Sequence, residues 1–141
     1  MALYTIENNT NEMQALIKEK VIDFSNGSLP STMEAPPESS FGYYLYDDNN
    51  LMGGITAHCF WNIMHIDFFW VDESLRGQGQ GKRLLTGMES IAKRENCKVI
   101  HLETFSFEAP KFYEKNGYQQ FGNINNVPVQ NCDYFFFKKE I

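Results

Sequence analysis

Trp70-Val71-Asp72-Glu73-Ser74-Leu75-Arg76-Gly77-Gln78-Gly79-Gln80-Gly81-Lys82-Arg83-Leu84-Leu85 is the stretch that decides how this chain folds. An apolar run, Ile66 to Val71, feeds a short polar loop in which Gly77, Gly79 and Gly81 alternate, and the loop opens directly into an amphipathic helical pattern. Alternating glycines free the backbone to turn several N–H groups toward one point, and a helix N-terminus adds the positive end of its dipole. Together they make an anion site suited to phosphate or pyrophosphate. Arg76 and Lys82 flank it with full positive charge.

Counting separates the kinds of phosphate loop. A Walker loop ending at Gly81-Lys82 needs Gly at position 76 and Ser or Thr at position 83, where the chain has Arg76 and Arg83. A dinucleotide fingerprint starting at Gly77 needs its third Gly where Lys82 stands, and a kinase glycine loop fails at the same place. What fits is Arg-x-x-Gly-x-Gly, on Arg76, Gly79 and Gly81, preceded by Phe69-x-Val71. This resembles the acetyl-CoA pyrophosphate loop of the GNAT superfamily of N-acetyltransferases.

A second motif falls downstream. Where that family shows Asn-x-x-Ala-x-x-Phe-Tyr-x-x-x-Gly-Phe/Tyr, this chain has Ser106-Phe107-Glu108-Ala109-Pro110-Lys111-Phe112-Tyr113-Glu114-Lys115-Asn116-Gly117-Tyr118. Only the first position departs, with Ser106 in place of Asn. Two spaced motifs in the right order extend the resemblance over almost the whole chain, although the N-terminal half is short for a second helix.

Composition bounds the class. The chain has 141 residues, enough for one domain with a proper core, and 43% hydrophobic with 15% aromatic residues mark it as globular. Glu7, Asn8, Asn9 and Asn11 interrupt any leader-like apolar run, and no stretch approaches a membrane span. Cys59, Cys97 and Cys132 have no metal-ligand spacing and give no disulfide framework, so they read as core thiols of a reduced, cytoplasmic protein. The net charge of −6 argues against nucleic-acid binding and suits a cationic acceptor such as a polyamine, an aminocyclitol or a lysine side chain.

The remaining patterns give the element order. Leu3 to Ile6 is expected to form a first strand. A helix comes next, with a capping-box spacing from Asn9 to Glu12, apolar residues at Met13, Leu16, Ile17, Val21 and Phe24, and Gly27 as C-cap. Residues 26–40 are a Pro- and Ser-rich loop long enough to act as a lid or a floppy connector. Three strands in meander span 41–46, 51–61 and 64–71. Leu84, Leu85, Met88, Ile91 and Ala92 then form one helical stripe. A buried strand over 99–104 precedes a short helix, 109–116, with Pro110 early and Gly117 as its stop. Strands over 118–124 and 133–139 close the chain. The order β-α-β-β-β-α-β-α-β-β predicts a single α/β domain over 1–141, with a mostly antiparallel sheet of six to seven strands flanked by helices; the resemblance makes it a GNAT-like acetyltransferase domain. Tyr134-Phe135-Phe136-Phe137, apolar on both faces, fits either a central strand or a homodimer contact.

The resemblance implies an N-acetyltransferase that moves acetyl from acetyl-CoA to a primary amine by direct attack on the thioester, with no metal. It makes Arg76, Gly77, Gln78, Gly79, Gln80, Gly81 and Lys82 the cofactor loop, with the pyrophosphate on the backbone N–H groups of Gln78 to Lys82, Arg76 ordering the loop or meeting a phosphate, and Lys82 or Arg83 reaching a ribose phosphate. It places pantetheine on the free backbone of Phe69, Trp70 and Val71, and on Ser106 unless that hydroxyl caps the next helix. Tyr113 is the implied proton donor to the leaving thiolate, protonated at neutral pH because its ordinary pKa is about 10. Glu103, ahead of Asp67, is the candidate base for the amine, with His58, His65 and His101 on strands nearby. Strand alternation puts His101 and Glu103 on one face, and His65 and Asp67 on another common face. The competing reading is a non-catalytic acyl-CoA-binding module that senses the cofactor or supports an assembly. The acceptor pocket, which the resemblance assigns to variable loops, here residues 26–40 and the turn near Asn125, is not encoded in either motif.

Overall fold

A computed structural model describes residues 2–30 and 37–141. The chain divides into two compact units, Met1–Pro36 and Pro37–Ile141. The first holds one helix, α1 (Asn11–Ser28). Thr10, not Asn9, is its N-cap, and no side chain caps it; Asn8 Oδ1 instead accepts the Thr10 N–H at 2.9 Å. Gly27 lies within the helix, which ends at Leu29. The strand expected over Leu3 to Ile6 is not formed, because this short run gains no ladder partner to offset its ordering. Residues 31–36 of the expected lid lie outside the described residues.

The second unit is a six-stranded sheet with two helices. Its elements are β1 (Ser39–Asp47), β2 (Asn50–Phe60), β3 (Ile63–Val71), α2 (Gln80–Arg94), β4 (Val99–Phe105), α3 (Pro110–Lys115), β5 (Gln119–Asn125) and β6 (Asp133–Glu140). The strand order is β1-β2-β3-β4-β6-β5. Every adjacent pair is antiparallel except β3 and β4, which the α2 crossover makes parallel. β6 is an inner strand between β4 and β5, which explains why Tyr134 to Phe137 is apolar on both faces; Phe137 is fully buried.

The core sits between one sheet face and α2. Leu84, Leu85, Met88 and Ala92 carry the helix stripe, and Ile55, Ala57, Met64, Ile66, Ile100 and Leu102 meet it from alternate strand positions. Each large aliphatic side chain among them, fully buried, stabilises the fold by about 1.5–3 kcal/mol. Lys93 and Arg94 in the last turn of α2 complement its dipole. Cys59 and Cys97 are buried in this core with their sulfurs 3.4 Å apart, both free, and burial pushes the Cys59 thiol up to about 12.

Two irregularities shape the middle of the sheet. The β3–β4 ladder pairs only Ile63 with Val99, Met64 with Ile100 and His65 with His101; beyond that rung the strands part. On the other side of β3, Thr56 pairs with Phe68 but Ala57 with Ile66, so Asp67 is a bulge. The extra residue reverses the alternation, so Phe69 and Val71, not Phe68 and Trp70, pack on the core.

Candidate active site

The parting strands open onto a cavity of about 720 Å³. Phe69, Trp70 and Val71 form one wall, and Phe107, Phe112 and Tyr113 another. Arg76, Gly77, Gly79, Gly81 and Lys82 close its end. Sequence-predicted positions from the two motifs therefore meet at one opening. Among the predicted cofactor positions, Gln78, Gln80 and Ser106 do not line it.

The glycine loop is held from behind. Arg76 Nε donates to the Val71 carbonyl at 3.2 Å, Gln78 Nε2 donates to the Ser74 carbonyl at 3.1 Å, and Asp72 caps the 3-10 turn Glu73–Leu75 through the Ser74 N–H. Gly77 and Gly79 have φ of +76° and +82°, and a Cβ on either would project into open space. Glycine is needed there for backbone conformation rather than for room. Gly79 is the N-cap of α2, and the first bond of the helix runs from the Arg83 N–H to its carbonyl. The N–H groups of Gln80, Gly81 and Lys82 thus precede any intrahelical partner and face the loop with the positive dipole end. Lys82 and Arg83 also line a shallower groove of about 470 Å³ beside Tyr43.

Tyr113 comes from α3, which starts on Pro110 and stops at Gly117, φ +91°. The ring is 9% exposed and packs edge-on against Phe69 and Phe112, while its hydroxyl makes no hydrogen bond among the described residues. Burial, then the Glu108 charge, pushes its pKa up to about 12. Its helix is tied to α2 through Glu89, whose Oε2 accepts from the Tyr118 hydroxyl at 3.0 Å and from Lys139 Nζ at 2.9 Å. Lys139 Nζ also donates to the Asn116 carbonyl. Ser106 does not cap α3, whose N-cap is Ala109; its Oγ accepts the Asp133 N–H at 3.0 Å and ties β4 to β6.

At the apex of the opening, on the sheet face away from α2, lies a cluster of five side chains. His65 Nε2 is 2.5 Å from Glu103 Oε2, and His65 Nδ1 is 2.8 Å from Asp67 Oδ1. The same Asp67 oxygen is 2.7 Å from His58 Nδ1. The His101 ring lies 4.7 Å from that of His65. The two pairs that alternation assigns to separate faces are therefore on one face, because β3 and β4 are parallel neighbours in register at His65 and His101. Burial opposes the charge on His65, but hydrogen bonds to Asp67 and Glu103 and both carboxylate charges outweigh it and raise the pKa above its ordinary value. Burial, then the His65 charge, lowers that of His101. His65 is visible in the sequence as a strand residue near the carboxylates; its place as their bridge depends on cross-strand register, for which no local motif exists.

Comparison with known proteins agrees with this geometry. The model of the acetyltransferase (GNAT) family matches residues 3–118. A crystal structure of an acetyltransferase from Bacillus cereus is 36% identical, covers 98% of each chain and superposes with a TM-score of 0.88. The blasticidin-S acetyltransferase of Streptomyces morookaense is 37% identical over 109 residues, 76% of this chain and 80% of its own. A Bacillus anthracis protein assigned as a streptothricin acetyltransferase, solved with acetyl coenzyme A, is 27% identical over 75% of this chain and 64% of its own, with a TM-score of 0.65. The chain belongs to the GNAT family of acetyltransferases. Its reaction class is acetyl-CoA-dependent N-acetyl transfer. No helix among the described residues is long and apolar enough to cross a membrane.

Proposed function

We propose that this chain, as a single acetyltransferase domain over 1–141, acetylates a primary amine on a cationic small molecule, with Tyr113 as acid and Glu103 as base. The observation that carries this reading is the parting of β3 from β4 directly beyond His65 and His101, with Tyr113 lining the cavity and Glu103 beside the apex. Acetyl-CoA supplies an acetyl group activated as a thioester. The glycine loop suits its pyrophosphate, and the backbone of Phe69, Trp70 and Val71 on the side turned away from β2 suits its pantetheine and the thioester oxygen, except for the Val71 carbonyl, which Arg76 Nε occupies. The Ser106 hydroxyl, which accepts the Asp133 N–H and does not line the cavity, is given no cofactor contact in this reading.

In this reading the amine nitrogen bonds to the carbonyl carbon as the C–S bond breaks. Glu103 takes the proton that the ammonium must lose before attack, the Tyr113 hydroxyl gives its proton to the departing sulfur, and the proton left on the new amide nitrogen passes to solvent, from which Tyr113 is reprotonated. Glu103 is favoured over Asp67 because Asp67 is held by two imidazoles, His58 and His65, whereas Glu103 is held by His65 alone. The acceptor class rests on the net charge of −6, the two carboxylates at the apex, and a relative named for blasticidin-S. The three free cysteines suit a reducing, cytoplasmic setting.

Thiol release from acetyl-CoA across a panel of polyamines, aminoglycosides, blasticidin S and basic peptides tests the reading. Turnover with a cationic small molecule is expected. Calorimetric binding of acetyl-CoA without turnover on any amine would instead support a binding module. Light scattering on the same sample reports whether the chain is a homodimer.

A further inference from the structure

We propose that His65, His101 and Glu103 form a binding site for a divalent transition cation of the zinc type. His65 and His101 face each other across the last rung of the parallel ladder, and Glu103 comes two residues on, on the same face of β4. One ligand atom from each of the three lies within 4.8 Å of the other two. All three side chains are half-buried, so a cation there would be partly shielded yet reachable.

The support around His65 is what separates this cluster from a chance gathering of polar groups. Asp67 Oδ1, 2.8 Å from His65 Nδ1, holds the hydrogen on that nitrogen and directs Nε2 toward Glu103. A ligating histidine almost always donates its other ring N–H to a carboxylate, a backbone carbonyl or water, which fixes its tautomer and ring plane. Asp67 is itself held by His58 Nδ1 at 2.7 Å. His101, whose ring lies 4.7 Å from that of His65, has no hydrogen-bond partner among the described residues, so its ring nitrogens are not already engaged. Two imidazoles and one carboxylate leave a fourth position open, and imidazole donors favour zinc, cobalt or nickel over magnesium or calcium.

The exchange balances simply. The cation replaces the proton shared by His65 Nε2 and Glu103 Oε2 at 2.5 Å, and that proton leaves to solvent. Ligand atoms around tetrahedral zinc stand about 3.3 Å apart, so Glu103 must swing outward by roughly 1 Å, a side-chain rotation. The other grouping, His58, His65 and Asp67, serves as support because Asp67 Oδ1 already accepts from both rings.

The test is a titration of the full chain, stripped with a chelator, with cobalt(II) and then zinc(II). The expected result is one equivalent of cobalt with the intense visible absorption of a tetrahedral site, displaced by zinc. His101→Ala and His101→Gln should each weaken binding more than tenfold with circular dichroism unchanged. Asp67→Asn should weaken it about 10- to 100-fold while leaving the cobalt spectrum tetrahedral. No saturable binding, a thiolate-to-cobalt band from Cys59 and Cys97, or wild-type affinity in both His101 variants would each overturn the site. Since binding is read without acetyl transfer, the outcome is independent of the enzymatic reading.

Discussion

Glu103 Oε2 and His65 Nε2 are 2.5 Å apart although 38 residues separate them in the chain, and they meet one step beyond the last rung joining β3 to β4. The contact fixes a carboxylate where the sheet opens. Replacing that carboxylate separates its chemistry from its packing. Glu103→Gln, assayed with chelator present, is expected to lower kcat about 100-fold with a cationic amine while leaving the acetyl-CoA Kd unchanged. A kcat within twofold of wild type removes Glu103 from the proton-accepting role.

Tyr113 offers a matching test on the other proton. Tyr113→Phe keeps the ring contacts with Phe69 and Phe112 and deletes only the hydroxyl. Turnover should fall about 100-fold, with stability and cofactor affinity close to wild type. Stopped-flow thiol release and a thermal melt on the same preparation give both quantities.

The raised pKa of Tyr113 has a direction in pH. The group is an acid that must stay protonated, and its folded value of about 12 lies above the ordinary 10.0. Its hydroxyl therefore remains competent well past pH 10, so the kcat profile should show no alkaline loss from this group below about pH 11. For stability the sign is the reverse of a salt-bridged carboxylate. The contribution of the neutral buried phenol is complete below about pH 10 and is lost as pH rises toward the folded value. Chemical denaturation at pH 9 and pH 11 should show wild type losing more stability than Tyr113→Phe.

Gly79 tests the loop. At φ +82° an alanine is strained by roughly 1–2 kcal/mol, although its Cβ meets nothing. Gly79→Ala should weaken acetyl-CoA binding about tenfold with kcat at saturation nearly kept, as isothermal calorimetry and a KM measurement would show.

Met88 tests the core. It is fully buried between α2 and the sheet, so Met88→Ala should cost about 2–5 kcal/mol in urea unfolding. A loss under 1 kcal/mol means the helix is not seated firmly on the sheet.

Much of this arrangement is legible in the chain itself. The strand-glycine-helix run and the Ala109-to-Tyr118 motif have local causes, namely φ > 0 turns, a proline at N1 and a helical stripe; those causes put the stripe of Leu84 to Ala92 inside α2 and place α3 within a residue of where it forms. The failures come where nothing local decides. Leu3 to Ile6 has the composition of a short strand but forms none, and Asn9 loses the N-cap to Thr10 one residue away. The bulge at Asp67 leaves no signature in composition, yet it sets which side chains of β3 face the core. The union of His65, Asp67, His101 and Glu103 on one face depends on parallel register, a property of two distant strands together.

The three-rung β3–β4 seam has a mechanical meaning. The sheet is two three-stranded halves, β1-β2-β3 and β4-β6-β5, stitched along a seam that gives out halfway. Backbone groups of β3 past His65 that would have paired across it have no partner on β4. On the proposed function the cosubstrate supplies the missing stitches there as a temporary structural member, and the rigidity of this protein would rise and fall with the supply of the metabolite it consumes.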